Sequence, residues 1–212
     1  MKTDDLITAL TADLDTKPKP LGSALAQAMF ISVPVAFAAL IYFLKVRPDF
    51  WQAIAEPRFL FKSVFLVGLS ASGLWLAFRV SRPGAATSAA VRAVSAMFAL
   101  LAVAIVAELI VMPRETWIPR LVGNMGLTCL LSIPLLSIVP LITILTAMRA
   151  GAPGNPMLAG AAAGLLASAI GATFYAPSCP NDSPLYLATW YLFGIAAVTL
   201  VGSLIGSKVL RW

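Results

Sequence analysis

Between Arg120 and Arg149 the chain runs from Leu121 to Met148 without a charged residue. A helix crosses the hydrocarbon core of a bilayer in about 20 apolar residues. This run is longer than one span requires and has room for a break. It also carries Pro134, Pro140, Asn124, Thr128, Ser132, Ser137 and Cys129. Proline in a membrane helix frees a backbone carbonyl that hydroxyls or neighbouring helices must satisfy. The run is therefore expected at the centre of the molecule, away from the lipid margin. Five further apolar stretches lie at about residues 24–44, 59–78, 91–112, 157–175 and 185–207. Charged residues make up 11% of the chain, against about 25% in soluble domains. The expected fold is an all-α integral membrane protein with six transmembrane helices.

Six spans return the chain to the side on which it began. Lys2, Lys17, Lys19, Arg79, Arg82, Arg92, Arg149, Lys208 and Arg211 fall on that side, and Lys45, Arg47, Arg58, Lys62, Arg114 and Arg120 on the other. Cytoplasmic loops carry the excess of Lys and Arg. Both termini are thus expected in the cytoplasm, across a bacterial inner membrane. The loop from Tyr175 to Pro184 has no Lys or Arg and falls outside. Lys62, near the start of the second run, is expected to snorkel toward the interface. The net charge of +6 needs no nucleic acid to explain it, since no basic run is interleaved with aromatics. Faces of small residues (Gly160, Gly164, Ser168, Ala172 and Gly194, Val198, Gly202, Gly206) recur at every fourth position. Such faces let helix backbones approach in lipid, here within the chain. Oligomeric state is left open.

Residues 1–23 form the one sizeable polar segment, distinct from a membrane domain over 24–212. Their mixed charge and the length of the first apolar run do not fit a cleavable signal. Thr3 reads as a helix N-cap, with Asp4 and Asp5 favourably placed in the first turn. Leu6, Leu10 and Leu14, with Ile7 beside them, make an apolar stripe that ends at Lys17-Pro18-Lys19-Pro20. Helices that rest on membranes favour Lys and Arg on the polar face, and this one carries aspartates. A protein partner with a basic surface, taking the stripe in a groove, fits better than lipid alone.

The two cysteines, Cys129 and Cys179, have 49 residues between them and form no CxxC motif. Counting about 20 residues back from Met148 sets Cys129 at the outer hydrocarbon boundary. Cys179 lies in the outer loop, at similar depth. In an oxidising compartment two such thiols can form a disulfide or act as a redox pair; they can also be two unrelated, inert thiols. Glu108 shares their depth. An acid inside a membrane segment is a functional candidate, and Arg114 or Arg120 could neutralise it. With Cys129, Cys179 and Asp182 it could also build a soft metal-ion site, although no cofactor is required. The chain has no histidine, which removes the commonest general base and metal ligand. No phosphate loop, dinucleotide fingerprint or Ser/His/Asp set is present. These absences count against a hydrolase, a proton pump or an ion channel.

Several motifs resemble those of a known family. They are the start Met1-Lys2-Thr3-Asp4-Asp5-Leu6-Ile7, then Arg47-Pro48-Asp49 with Glu56-Pro57-Arg58-Phe59, and Cys129-Leu130-Leu131-Ser132-Ile133-Pro134. Arg149-Ala150-Gly151-Ala152-Pro153, Cys179-Pro180-Asn181-Asp182-Ser183-Pro184 and Trp190-Tyr191 complete the set. Across essentially its whole length the chain resembles the NrsF family of membrane-bound anti-sigma factors, which are not enzymes. The resemblance implies six membrane helices and a cytoplasmic N-terminal segment that sequesters an extracytoplasmic-function sigma factor, a stress-response arrangement. It also implies sensing through Cys129 and Cys179. Pro134 and Pro140 make their helix a plausible two-state element. Two other classes compete: a membrane thiol oxidoreductase using Cys129 and Cys179, and a small transporter with the first and fourth helices as a broken pair.

Overall fold

A computed structural model of the chain describes residues 20–211. Asp4, Asp5, Leu6, Ile7, Leu10 and Leu14 lie outside the described residues. Six described helices are long and apolar enough to cross a membrane. In chain order, α1 covers Leu21–Leu44 and closes on a π-turn over Leu40–Leu44. The short α2, Phe50–Ala53, leads into α3, Pro57–Val80, and then α4, Ser88–Val111. The short α5, Trp117–Val122, precedes α6, Gly126–Met148. The α7 helix, Pro156–Tyr175, runs into a 3-10 turn at Ala176–Ser178. Last comes α8, Pro184–Val209, with a π-turn at Leu187–Tyr191. The described residues contain no β-strand.

Local chemistry explains several helix starts. Pro57 and Pro156 stand in the first turns of α3 and α7, where a missing N–H costs no hydrogen bond. Asn155 Oδ1 accepts from the N–H groups of Met157 and Leu158, each at 3.1 Å, and so caps α7.

The central element is α7, against the expectation for α6. It buries 14 of its 20 residues, among them Gly160, Gly164, Ser168 and Ala172, and packs on α8, α6 and α3. A Cβ added at Gly160 would run into the Gly202 carbonyl, and one at Gly164 into the backbone of Val198 and Thr199. The small-residue faces therefore pack against each other within the chain. The physical reason for the change of centre is girth. A helix of Ala and Gly is thin enough to take three neighbours. By contrast, α6 carries Leu127, Leu131, Leu135, Ile138 and Ile142 along one exposed side, the side a bilayer would cover.

The run Leu121–Met148 is not one helix. Gly123, at φ +56°, ends α5, and α6 starts at Gly126. Both glycines allow close approach: added Cβ atoms would strike the Tyr186 ring at Gly123 and the Trp190 indole at Gly126. Trp190 Nε1 and Thr189 Oγ1 donate to carbonyls at the end of α5, at 3.0–3.2 Å. Pro134 and Pro140 stay inside the continuous α6. Nearby, Ser137 Oγ donates to the Ile133 carbonyl at 2.6 Å, and Thr143 Oγ1 to those of Val139 and Pro140 at 3.0 Å.

One end of the bundle gathers the segments after α1, α4 and α7. There Arg47 N–H donates to the Pro177 carbonyl at 3.1 Å, and Ser178 Oγ to that of Lys45 at 2.8 Å. At the opposite end Ala152 N–H donates to the Ser81 carbonyl at 3.1 Å.

Candidate functional site, a buried thiol pair under a charged loop

The loop from Ala176 to Ser183 drops Cys179 into the interior. Cys129 stands in the first turn of α6, its N–H bonded to the Met125 carbonyl at 3.0 Å. Both sulfurs are free thiols at 0% exposure. They share one apolar cluster with Tyr175, Tyr186 and Tyr191. Tyr186 Oη donates to Cys129 Sγ at 3.4 Å. The Tyr191 ring lies 5.7 Å from that of Tyr175 and 6.3 Å from that of Tyr186. The tyrosines flank the Cys179 loop in the sequence, as residues at the two ends of α7 and α8, and that position was the available sign of their role.

Two charged clamps fasten the loop. In the first, Asp182 accepts from Arg47 Nη1 at 2.7 Å and forms an ion pair with Lys62. Lys62 Nζ also donates to the carbonyls of Cys179 and Asn181, at 3.1 and 3.4 Å. It lies 5.4 Å from the centre of the Phe59 ring and 5.9 Å from that of Tyr191. Lys62 therefore turns inward instead of snorkelling, because a carboxylate, two carbonyls and two aromatic faces await it inside. A cation one turn into an apolar helix, with an acid in a facing loop, was the sign that sequence reading passed over. Burial works against the Arg47 charge, but Asp182 and Asp49 more than offset it and hold its pKa above the ordinary value.

In the second clamp, Glu108 accepts from Arg120 Nη1 at 3.1 Å, Ser183 Oγ at 2.7 Å and Leu185 N–H at 3.2 Å. A carboxylate is thus set at the N-terminus of α8, where the helix dipole favours negative charge. Of the two arginines considered for Glu108, the ion pair goes to Arg120.

Glu108 and Asp182 are therefore directed at cations and at the loop, away from the sulfurs. Among the described residues no three Cys, Asp or Glu side chains come together as a metal ion would require. Cys179 itself is drawn below the ordinary thiol range, to about 6. The hydrogen bond from Cys129 is the main cause; burial opposes it, and the Lys62 charge, the Asn181 backbone and Tyr191 assist. Above the loop opens a cavity of about 630 Å³ whose lining includes Arg47, Arg58, Glu115, Pro180, Asn181 and Asp182.

Residues 10–212 match the family described as NrsF, negative regulator of sigma F. A protein of Azospira oryzae named probable anti-sigma-F factor NrsF is 36% identical over 218 residues, covering all of both chains. The anti-sigma-F factor NrsF of Caulobacter vibrioides is 34% identical over 215 residues, again covering all of both. No solved structure matches the chain.

Proposed function

The chain belongs to the NrsF family of negative regulators of sigma F, and from that premise we propose that it is a membrane-bound anti-sigma factor. It holds a sigma factor of the extracytoplasmic-function type at the inner face of a bacterial inner membrane, both its termini being cytoplasmic. Residues 1–23 make the contact. Asp4 and Asp5 meet basic residues of the sigma factor, while Leu6, Ile7, Leu10 and Leu14 enter an apolar groove. Release follows a chemical change at Cys129 and Cys179 on the outer side. One observation carries this last part: the two cysteines of the chain, with 49 residues between them, lie in one buried cluster at a loop clamped by charges. The pair lacks the CxxC spacing usually used for thiol exchange, which favours a switch over an oxidoreductase.

A transcriptional reporter for the sigma regulon tests both parts. Deletion of residues 2–16 is expected to abolish repression with the membrane level of the protein unchanged on immunoblots. Repression that survives the deletion removes the assigned contact. Cys129→Ser and Cys179→Ser are expected to repress normally and to lose induction by thiol oxidants; an intact response in the double variant removes the assigned release.

A further inference from the structure

Two cations are buried at the Cys179 loop, and one buried carboxylate answers them. The side chains of Lys62 and Arg47 are 1% and 8% exposed, and both pair with Asp182, at 12%. The other partner of Arg47, Asp49, is 51% exposed and is screened by solvent. Glu108 is committed to Arg120. Lys62 and Arg47 thus share Asp182 as their one buried counterion, while Asp49 serves Arg47 from a half-exposed position. The ionisable groups around Cys179 are Cys129 from α6, Tyr175 from α7, Tyr186 and Tyr191 from α8, Lys62 from α3, and Arg47 and Asp182 from the loops. Cys179 lies next to both cations, which donate to its carbonyl, Lys62 Nζ at 3.1 Å and Arg47 Nη1 at 3.3 Å. Cys129 sits instead in the first turn of α6, where it accepts a hydrogen bond from the Tyr186 hydroxyl.

We propose that Cys179 is the attacking thiolate of the pair, Cys129 the resolving thiol, and Lys62 a positioning residue whose buried charge adds to the distinction. The proposal rests on the reading that the pair carries the signal, and adds the order of events. With a low-molecular-weight disulfide as oxidant, the Cys179 sulfur bonds to one sulfur of the disulfide and the other departs as a thiolate. Cys129 then attacks the Cys179 sulfur and forms the Cys129–Cys179 disulfide. The second small thiolate leaves, and the Cys129 proton passes to it. Two protein thiols are oxidised and one small disulfide is reduced to two thiols. The oxidant approaches by the cavity walled in part by Pro180, Asn181 and Asp182; neither sulfur lines it and both are 0% exposed, so Cys179 is reached when the loop shifts. The depressed pKa of Cys179 agrees with this order.

The test is alkylation of the purified full-length protein in detergent with iodoacetamide from pH 5 to 9, each cysteine being followed by peptide mass spectrometry. Cys179 is expected to react first, at pH 7 by about tenfold or more over Cys129, as a low thiol pKa requires, with a midpoint near pH 6. Lys62→Met is expected to raise the Cys179 midpoint by about one unit and so to slow its reaction about twofold at pH 7 and about fivefold at pH 6, since thiolate fraction follows pKa; Lys62→Arg should keep the wild-type profile. Equal reactivity of the two sulfurs in the wild type, or faster reaction of Cys129, overturns the assignment without recourse to a variant. An unchanged profile in a folded Lys62→Met protein overturns the role of Lys62. Failure of the underlying reading is separate: the reporter response of the Cys129→Ser and Cys179→Ser variants measures it whichever sulfur reacts first.

Discussion

Asp182 stands between two cations, Arg47 and Lys62, and its removal has a definite direction. Asp182→Asn leaves two buried positive charges without their shared partner and should cost about 3–5 kcal/mol, read as a lowered unfolding temperature in detergent. Adding Lys62→Met should recover part of that loss, so the double variant falls short of the sum of the singles. The thiol makes a second prediction. The folded-state pKa of Cys179, about 6, lies below the ordinary value near 9. Its ionisation therefore contributes stability that is fully present above pH 9 and is lost as pH falls through 6. The wild-type unfolding temperature should decline across that window relative to Cys179→Ser. At this scale the sequence was partly legible. Glu108 and Asp182 stood out as acids at membrane depth, but Lys62 reads as an interfacial lysine until a facing loop is known to hold an acid.

Among the elements, α7 sets the packing. Gly160, Gly202 and Gly206 touch backbone to backbone, so any side chain larger than hydrogen forces α7 and α8 apart. Gly202→Val should destabilise the protein by about 1–3 kcal/mol or more. Gly154, with nothing within 4 Å of an added Cβ, is the control: Gly154→Ala should be neutral or stabilise by up to about 1 kcal/mol. Thermal unfolding of both variants in one detergent checks the pair. The four-residue repeats of small side chains were readable along the chain. The break at Gly123 was not, because it depends on the Tyr186 and Trp190 rings that arrive from α8.

For the whole molecule, the proposed orientation puts the cavity outside and the segment between α3 and α4 inside. In a background with Ser at both native cysteines, Gln52→Cys should react with a membrane-impermeant maleimide in intact cells. Ala86→Cys should react only after permeabilisation. The reverse pattern would invert the topology and detach the thiol pair from an outer signal.

Six apolar runs, a polar leading segment and short charged connections are properties of the order of residues alone. Hydrocarbon thickness sets the length of a span, and the absence of water within it forces the backbone to satisfy itself as helix; both constraints act along one dimension. The tertiary structure decided which helix is central, where the long run breaks, that Lys62 turns inward, and that Cys129 and Cys179 meet. Those outcomes depend on side-chain volume and on charges contributed by segments far apart in the chain. Neither takes a value until the helices have packed: α7 wins the centre because it is thin, and Lys62 goes inside because Asp182 is there.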